Sequence, residues 1–142
     1  MVDDLLHLKH NGKTIVRMSL NPREIIQRIE KGTSPLDVRI NAIINLIDAG
    51  YKVGILIAPI IFVKDYKKLY MNLFDELVEK LPENFKNKME VEMIFMTYSY
   101  VHRKINEDAF GWDLYDKEKM TGRGRGKYWY KEDIRKEGEI FF

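Results

Sequence analysis

The sequence predicts an α/β fold, in which helices alternate with the strands of a parallel sheet. Three segments of strand length, residues 14–21, 51–59 and 89–99, are rich in β-branched or continuously apolar residues. The segments between them carry apolar residues at helical spacing and run for more than a dozen residues. A hairpin turn cannot span such connections, so we expect the three strands to pair in parallel.

Two helix starts are well marked. Ser34 and Pro35 are typical of a cap and a first turn, and the apolar stripe that follows continues to Gly50. Before them, Asn21 is predicted to cap a helix whose first residue is Pro22. These signals place one helix directly after the first strand and a second one directly before the next strand.

The remaining helices are predicted from weaker patterns. An amphipathic helix is expected at residues 65–80 and a shorter one at residues 100–106. The tail after residue 130 is expected to have little helix, because Gly138 interrupts its periodicity. Three parallel strands make a thin sheet with two open edges, so we expect another chain or a larger protein to extend it.

The composition excludes several kinds of site. The chain has 142 residues, a length that suits one domain, and no cysteine, so it cannot supply a disulfide, a thiolate zinc site or a cysteine-ligated iron–sulfur cluster. Its longest apolar run, residues 53–63, contains Pro59 and is too short to cross a bilayer. The first ten residues lack the apolar core of a signal peptide, so a cytoplasmic location is expected.

Basic residues are concentrated near the C-terminus. Residues 117–131 carry six basic residues and one acidic residue, whereas the net charge of the whole chain is only +2. Within them, "GRGRGKYWY" combines cations that neutralise phosphates, glycines that let the backbone approach closely, and aromatic rings that stack on bases. The candidates for contact with DNA are Arg123, Arg125 and Lys127, with Tyr128 and Tyr130 as supports. The alternative is a solvated hairpin whose aromatic side chains pack on the core.

Other polar groups give weaker signals. His7 and His10 are spaced like metal ligands, but no acidic third ligand follows at a fitting distance, so exposed histidines at a helix end are favoured. Asp113, Tyr115 and Asp116 are polar residues of a predicted loop, and they contain no pair of base and nucleophile.

Four stretches carry a family resemblance. "KHNGKTIVRMSLN", "GTSPLDVRINAI", "AGYKVGILIAPI" and "GRGKYWY" follow one another across residues 2–130, and they resemble successive motifs of the C-terminal half of spore photoproduct lyase. That family belongs to the radical S-adenosylmethionine enzymes. The resemblance implies the C-terminal half of a partial (β/α)6 barrel, with about three parallel strands, flanking helices and a C-terminal β-hairpin near the DNA. It also implies the chemistry of the family, in which a [4Fe–4S] cluster and S-adenosylmethionine generate a 5′-deoxyadenosyl radical that reverses a thymine dimer.

The resemblance assigns two cofactor contacts in this chain. Ser19, near the end of the first strand, falls on the residue that contacts the ribose of S-adenosylmethionine. Ala58, followed by Pro59, falls on the small residue whose backbone lies near the methionine or adenosine part. Read without the resemblance, Ser19 is a turn or helix cap and the Ala58-Pro59 pair ends a strand.

Together these patterns predict two regions and one principal function. Residues 1–116 are expected to form the half-barrel, and residues 117–142 the basic hairpin and a short tail. The chain is expected to be a segment of a DNA repair enzyme, and to be inactive alone because no cluster ligand is present. Its expected partners are damaged duplex DNA and either a chain that carries the cluster or a second copy of this chain. The alternative is a non-catalytic nucleic-acid-binding module derived from the same fold.

Overall fold

A computed structural model describes residues 2–110 and 116–142. The chain divides into two compact units. The first unit contains Met1–Ala58 and Asp65–Ile94, and the second contains Pro59–Lys64 and Phe95–Phe142. The second unit therefore holds residues 59–64 and 95–110 in addition to the segment that follows residue 116.

The first unit is built on a three-stranded parallel sheet of order β1-β2-β3. Its strands are β1 (Ile15–Leu20), β2 (Lys52–Ile60) and β3 (Glu90–Phe95). Its helices are α1 (Asp3–Leu6), α2 (Arg23–Arg28), α3 (Leu36–Asp48), α4 (Tyr66–Lys80) and α5 (Glu83–Lys86). The predicted α/β class and the parallel pairing are confirmed, because long helical connections return each strand in the same direction.

One face of this sheet forms the core of the first unit. Leu20 on β1 and the paired Ile57 on β2 are completely buried, and apolar residues of α3 and α4 pack in the same core. Ile43, Leu46 and Leu73 are among these helix residues and are at most 2% exposed. The amphipathic stripes predicted from the sequence therefore mark the sides of the helices that are removed from water.

The starts of α2 and α3 each lie one residue later than predicted. The capping positions are Pro22 and Pro35, and each helix begins at the following residue. Asn21, predicted as a cap, is instead fully buried, and its amide bonds to Glu30 and Tyr70. A buried amide must find partners for both its oxygen and its nitrogen, and here side chains satisfy both.

The third predicted strand, residues 89–99, is divided between the two units. Its first part is β3, and its last part is a separate strand, β4 (Thr97–Ser99). Between them, Met96 is buried and its N–H donates to the carbonyl of Ile60 over 3.0 Å. The segment therefore contains two strands, and the prediction of a single strand is wrong.

The second unit contains an antiparallel sheet of order β4-β6-β5. Strands β5 (Met120–Gly124) and β6 (Lys127–Tyr130) form the predicted hairpin, to which β4 adds a third strand. Two helices, α6 (Tyr100–Phe110) and α7 (Glu132–Phe141), and a short 3-10 turn at Lys117–Lys119 belong to the same unit. Within the ranges that the structure describes, no helix has the length and hydropathy of a membrane span.

The helix α7 corrects the expectation that the tail lacks helical structure. Gly138 lies within it and is buried, and a Cβ placed there would come within 2.5 Å of the Phe62 ring and 2.9 Å of the Phe95 ring. The glycine therefore permits close packing of the helix on two aromatic rings. This packing outweighs the roughly 1 kcal/mol by which glycine disfavours a helix relative to alanine.

Candidate functional site

The carboxyl ends of β1 and β2 form the first candidate site. Ser19 pairs in register with Leu56, so its side chain lies on the same face of the sheet as those of Leu56 and Ala58. The Ser19 hydroxyl donates a hydrogen bond of 2.7 Å to the Ala58 carbonyl. The two residues predicted to contact a cofactor are thus in direct contact, at the edge where parallel α/β sheets bind ligands.

A buried arginine holds the backbone at Ser19. The Nη1 of Arg39 donates to the Ser19 carbonyl over 3.1 Å, and its Nε donates to the Ser34 carbonyl over 2.7 Å. Its Nη2 donates to Glu30 and to Thr33, both over 2.7 Å. Arg39 is only 6% exposed, so these four bonds replace the water that the guanidinium loses on burial.

The network continues from Glu30 to a second helix. Asn21 donates to the other carboxylate oxygen of Glu30 over 2.6 Å, and the Tyr70 hydroxyl donates to the Asn21 amide oxygen over 3.0 Å. Tyr70 lies on α4 and is completely buried. The end of β1 is therefore tied by side chains to the segment after α2, to α3 and to α4.

The sequence contains one signal for this network, an arginine on an apolar helix stripe. Arg39 falls between Leu36, Ile40 and Ile43, on the apolar stripe of α3. An arginine at such a position must be paired when it is buried. Its partners could not be identified in the same way, because Glu30 and Asn21 belong to other segments of the chain.

The face of the sheet opposite the helices carries a charged pair above a glycine. Arg17 of β1 donates to Glu92 of β3 over 2.7 Å, and Gly54 of β2 pairs with Arg17 in register. A Cβ at Gly54 would lie 3.5 Å from the Arg17 Cγ, so the arginine side chain passes close over the glycine. The same face has a cavity of about 250 Å³, which Ile15 and Leu56 also line.

The hairpin is the second candidate site. Its two central turn residues, Arg125 and Gly126, have φ values of 50° and 68°, as in a type I′ turn. Pairing shifts between Gly122 and Gly124, which makes Arg123 the extra residue of a β-bulge. The turn is tied to α6 by a bond of 2.8 Å from the Tyr100 N–H to the Gly126 carbonyl.

The three predicted cations are exposed along this hairpin. Arg123, Arg125 and Lys127 form no ion pair with a carboxylate in the ranges 2–110 and 116–142. Arg123 instead lies over the Trp129 ring, with its Cζ 4.2 Å from the ring centroid. Side chains without an internal counterion are available to an anionic partner.

The two predicted tyrosines pack against other aromatic or backbone groups of the unit. Tyr130 is 2% exposed, and its hydroxyl accepts a bond of 3.1 Å from the Phe62 N–H. The ring of Tyr128 is stacked on that of Tyr98, with centroids 5.0 Å apart. Tyr130 is therefore an internal support of the hairpin, and Tyr98 covers one face of the half-buried Tyr128 ring.

The remaining predicted polar groups do not form a second centre in the described part of the chain. The ring of His10 is stacked on Tyr51, its Nε2 lies 3.1 Å from the Ala49 carbonyl, and its Nδ1 accepts from the Gly12 N–H. Among residues 2–110 and 116–142, no group of three or more histidine, aspartate or glutamate side chains could hold a metal ion. Asp116 caps the 3-10 turn by accepting from the Glu118 N–H, and Asp113 and Tyr115 lie outside the described residues.

A network of four charges joins the helices of the first unit. Arg23 of α2 binds Asp37 of α3 and Glu76 of α4, and Lys80 binds the same two carboxylates. Hydrogen bonds from Arg23 and Lys80 hold the pKa of Asp37 well below its usual range. Burial raises the pKa of Glu76, but its hydrogen bonds to Lys80 and Arg23 outweigh that effect and lower it. Glu76 and Asp37 in turn raise the pKa of Lys80.

Comparison with known proteins identifies the class of this fold. The structure superimposes on a cysteine-to-alanine mutant of spore photoproduct lyase with a TM-score of 0.89 and 33% identity, over 99% of this chain and 43% of that one. It also matches a double mutant of spore photoproduct lyase with bound AdoMet and dinucleoside spore photoproduct. The TM-score is 0.88 and the identity 33%, and the match covers 99% of this chain and 43% of that one. The fold is thus that of one part of spore photoproduct lyase.

Sequence comparison gives the same result at the level of family. The family model for spore photoproduct lyase matches residues 1–140. The Bacillus subtilis spore photoproduct lyase is 37% identical, and the match covers 93% of this chain and 40% of the relative. The spore photoproduct lyase of a Geobacillus strain is 34% identical, and the match covers 97% of this chain and 42% of the relative. The chain therefore belongs to the spore photoproduct lyase family. It spans about two fifths of the length of these relatives.

Proposed function

We propose that this chain provides the C-terminal part of a spore photoproduct lyase-type repair site. In this proposal the β1-β2-β3 sheet is half of a partial (β/α)6 barrel, and its carboxyl edge holds part of S-adenosylmethionine. The observation that carries the proposal is the contact between Ser19 and Ala58 at that edge. A relative with 33% identity has AdoMet and dinucleoside spore photoproduct bound.

The residues at this edge fit one part of such a cofactor. The Ser19 hydroxyl can accept from a ribose hydroxyl while it donates to the Ala58 carbonyl. Ala58 is half-buried and small, so a ligand can come close to the backbone there. Ser19 would hold the ribose, and the backbone at Ala58 would contact the adenosine or methionine part.

The iron–sulfur cluster of the family does not fit this chain. Cluster irons in proteins are held mainly by cysteine thiolates, and none of the 142 residues is a cysteine. The cluster, and the radical chemistry that it supports, would have to come from a segment or chain outside these residues. We propose that the open face of the sheet, with Arg17 and Glu92, meets that other part.

The hairpin would provide the contact with damaged duplex DNA. Arg123, Arg125 and Lys127 are exposed and have no carboxylate partner in the described ranges, as expected of phosphate-binding side chains. The absence of cysteine also favours a second candidate, a non-catalytic nucleic-acid-binding module that uses the same hairpin. The two candidates differ in whether the carboxyl edge binds the cofactor.

Two measurements test these proposals separately. Titration with S-adenosylhomocysteine, in the presence of the part of the Bacillus subtilis relative outside the matched region, should show binding that Ser19→Ala weakens. Binding to DNA should weaken with salt, and Arg123→Ala with Lys127→Ala should lower the slope of log K against log salt by about 1.8, the value for two phosphate contacts. Salt-dependent DNA binding without any binding of S-adenosylhomocysteine would favour the non-catalytic module.

A further inference from the structure

The hairpin has two faces, and the structure distinguishes them. Side chains alternate along a strand, so Tyr128 and Tyr130 of β6 lie on one face and Trp129 on the other. The tyrosine face is turned into the second unit, where Tyr130 packs edge to face on Phe62. Tyr130 is therefore not accessible to a nucleic acid while this packing is intact.

The opposite face brings together cations and an indole. Thr121 of β5 pairs with Trp129 in register, and Arg123 lies over the Trp129 ring at 4.2 Å. Arg135, from the second turn of α7, also lies over this ring, with its Cζ 5.0 Å from the centroid. A cavity of about 400 Å³ adjoins the ring and is bounded by Thr121 and α7.

The charges on this face leave room for an anion. Arg123 has no carboxylate partner among the residues that the structure describes. Arg135 has Glu139, at 3.3 Å and one helical turn away. An ion pair of this kind, half exposed on a helix, contributes little to stability, so a phosphate can replace the carboxylate at little cost.

The indole also prepares the two arginines for binding. A guanidinium over an aromatic ring is attracted by the negative charge of the ring face. The contact reduces the number of conformations of a long side chain, so less entropy is lost when a phosphate binds. Trp129 thereby fixes the direction of a cation from the hairpin and of another from α7.

We propose that nucleic acid binds on the Trp129 face of the hairpin and that Arg135 of α7 is a phosphate contact alongside Arg123. This inference rests on the proposal that the hairpin contacts DNA, and it names the surface and an additional residue. The helix α7 then belongs to the DNA-binding surface, although the sequence predicted only a short charged tail there.

The test uses the whole chain and a duplex oligonucleotide. The variant Trp112→Phe leaves Trp129 as the only tryptophan. In this background, Trp129 emission should change in proportion to bound DNA, because the ring lies in the contact. Arg135→Gln should lower the slope of log K against log salt by about 0.9, the value for one phosphate contact. Arg135→Lys, which keeps the charge, should restore most of the slope.

The matched control is Arg28→Gln. Arg28 is an exposed residue of α2 in the first unit, and its substitution removes the same charge. An equal slope for Arg135→Gln and Arg28→Gln, with unchanged Trp129 emission at saturation, would overturn the inference. If Arg123→Gln and Lys127→Gln still lowered the slope in that case, the proposed role of the hairpin would stand. If neither substitution lowered the slope, or if the chain bound no DNA, the DNA contact of the hairpin and the role of Arg135 would both be refuted.

Discussion

The side chain of Ser19 donates a hydrogen bond to the backbone carbonyl of Ala58 over 2.7 Å, which joins the carboxyl ends of two parallel strands. The two residues are 39 positions apart in the chain. Their contact is set by the register of β1 and β2 and by the fixed direction of side chains on a pleated strand. It gives the proposed cofactor site a defined geometry before any ligand binds.

Removal of this bond should have a measurable effect on stability. Ser19→Ala should reduce the free energy of unfolding by about 1 kcal/mol, the usual net value of one hydrogen bond. Urea denaturation at constant pH would measure the change. Ser34→Ala is the matched control, since only the backbone carbonyl of Ser34 is used by Arg39, and its effect should stay within about 0.5 kcal/mol. Equal effects of the two substitutions would contradict the account.

The buried arginine should be far more sensitive. Arg39→Met removes four hydrogen bonds and leaves the Glu30 carboxylate without its buried cation. Breaking a buried ion pair in this way costs about 3–5 kcal/mol. Thermal melting should show a large loss for this variant and almost none for Arg28→Met, whose side chain is exposed. Small losses for both would show that the network contributes little to the folded state.

Gly138 offers a test of the packing of α7. Alanine normally stabilises a helix relative to glycine by about 1 kcal/mol, but here its Cβ would lie 2.5 Å from the Phe62 ring. We expect Gly138→Ala to destabilise the protein by about 1–3 kcal/mol, as overpacking does. In Gly122→Ala the added Cβ has no neighbour within 4 Å among the described residues, so this control should not be destabilised by packing. A stabilised Gly138→Ala variant would refute the close packing.

The four-charge network predicts a dependence of stability on pH. The pKa of Asp37 is lowered in the folded state by Arg23 and Lys80. The stability that the ionised Asp37 contributes is therefore present above the unfolded pKa of 3.8 and is lost as the pH falls toward the folded pKa. Glu76 and Asp37 raise the pKa of Lys80 in the folded state. The stability that the charged Lys80 contributes is therefore present below the unfolded pKa of 10.5 and is lost as the pH rises through the folded pKa.

The comparison of Asp37→Asn with the unsubstituted protein checks this directly. The difference in melting temperature should be largest near neutral pH, should decrease below about pH 3.8, and should become smaller with added salt because both partners are half exposed. A difference that is the same at pH 3 and pH 7 would contradict the assigned pairing.

The sequence predicted those features that depend on local pattern. Apolar runs and long helical connections indicated parallel strands, and strand direction alone placed Ser19 and Ala58 at one edge. The sequence did not predict features that depend on packing between distant segments. Asn21 had the residue type of a cap, but its partners Glu30 and Tyr70 come from two other segments. Gly138 had the residue type of a helix breaker. The ring against which it packs, Phe62, is 76 residues earlier in the chain, so local pattern could not reveal that contact.

The division of the third predicted strand has a similar cause. Residues 89–99 have continuous strand composition, but Met96, between β3 and β4, bonds through its N–H to the carbonyl of Ile60, a residue of another segment. The family resemblance added the identity of the proposed cofactor and substrate, which no residue pattern in this chain supplies. The residue pattern proposed the tyrosines of the hairpin as supports of the DNA contact, and in the structure Tyr130 is buried and Tyr128 stacks on Tyr98.

The central claim is that this chain completes a repair site whose cluster lies outside it. The most direct measurement combines the chain with the part of the Bacillus subtilis relative that lies outside the matched region, and follows the conversion of dinucleoside spore photoproduct. We expect conversion by the mixture, none by either part alone, and less when this chain carries Ser19→Ala. A mixture as inactive as its separate parts, under conditions in which the intact relative is active, would contradict the claim.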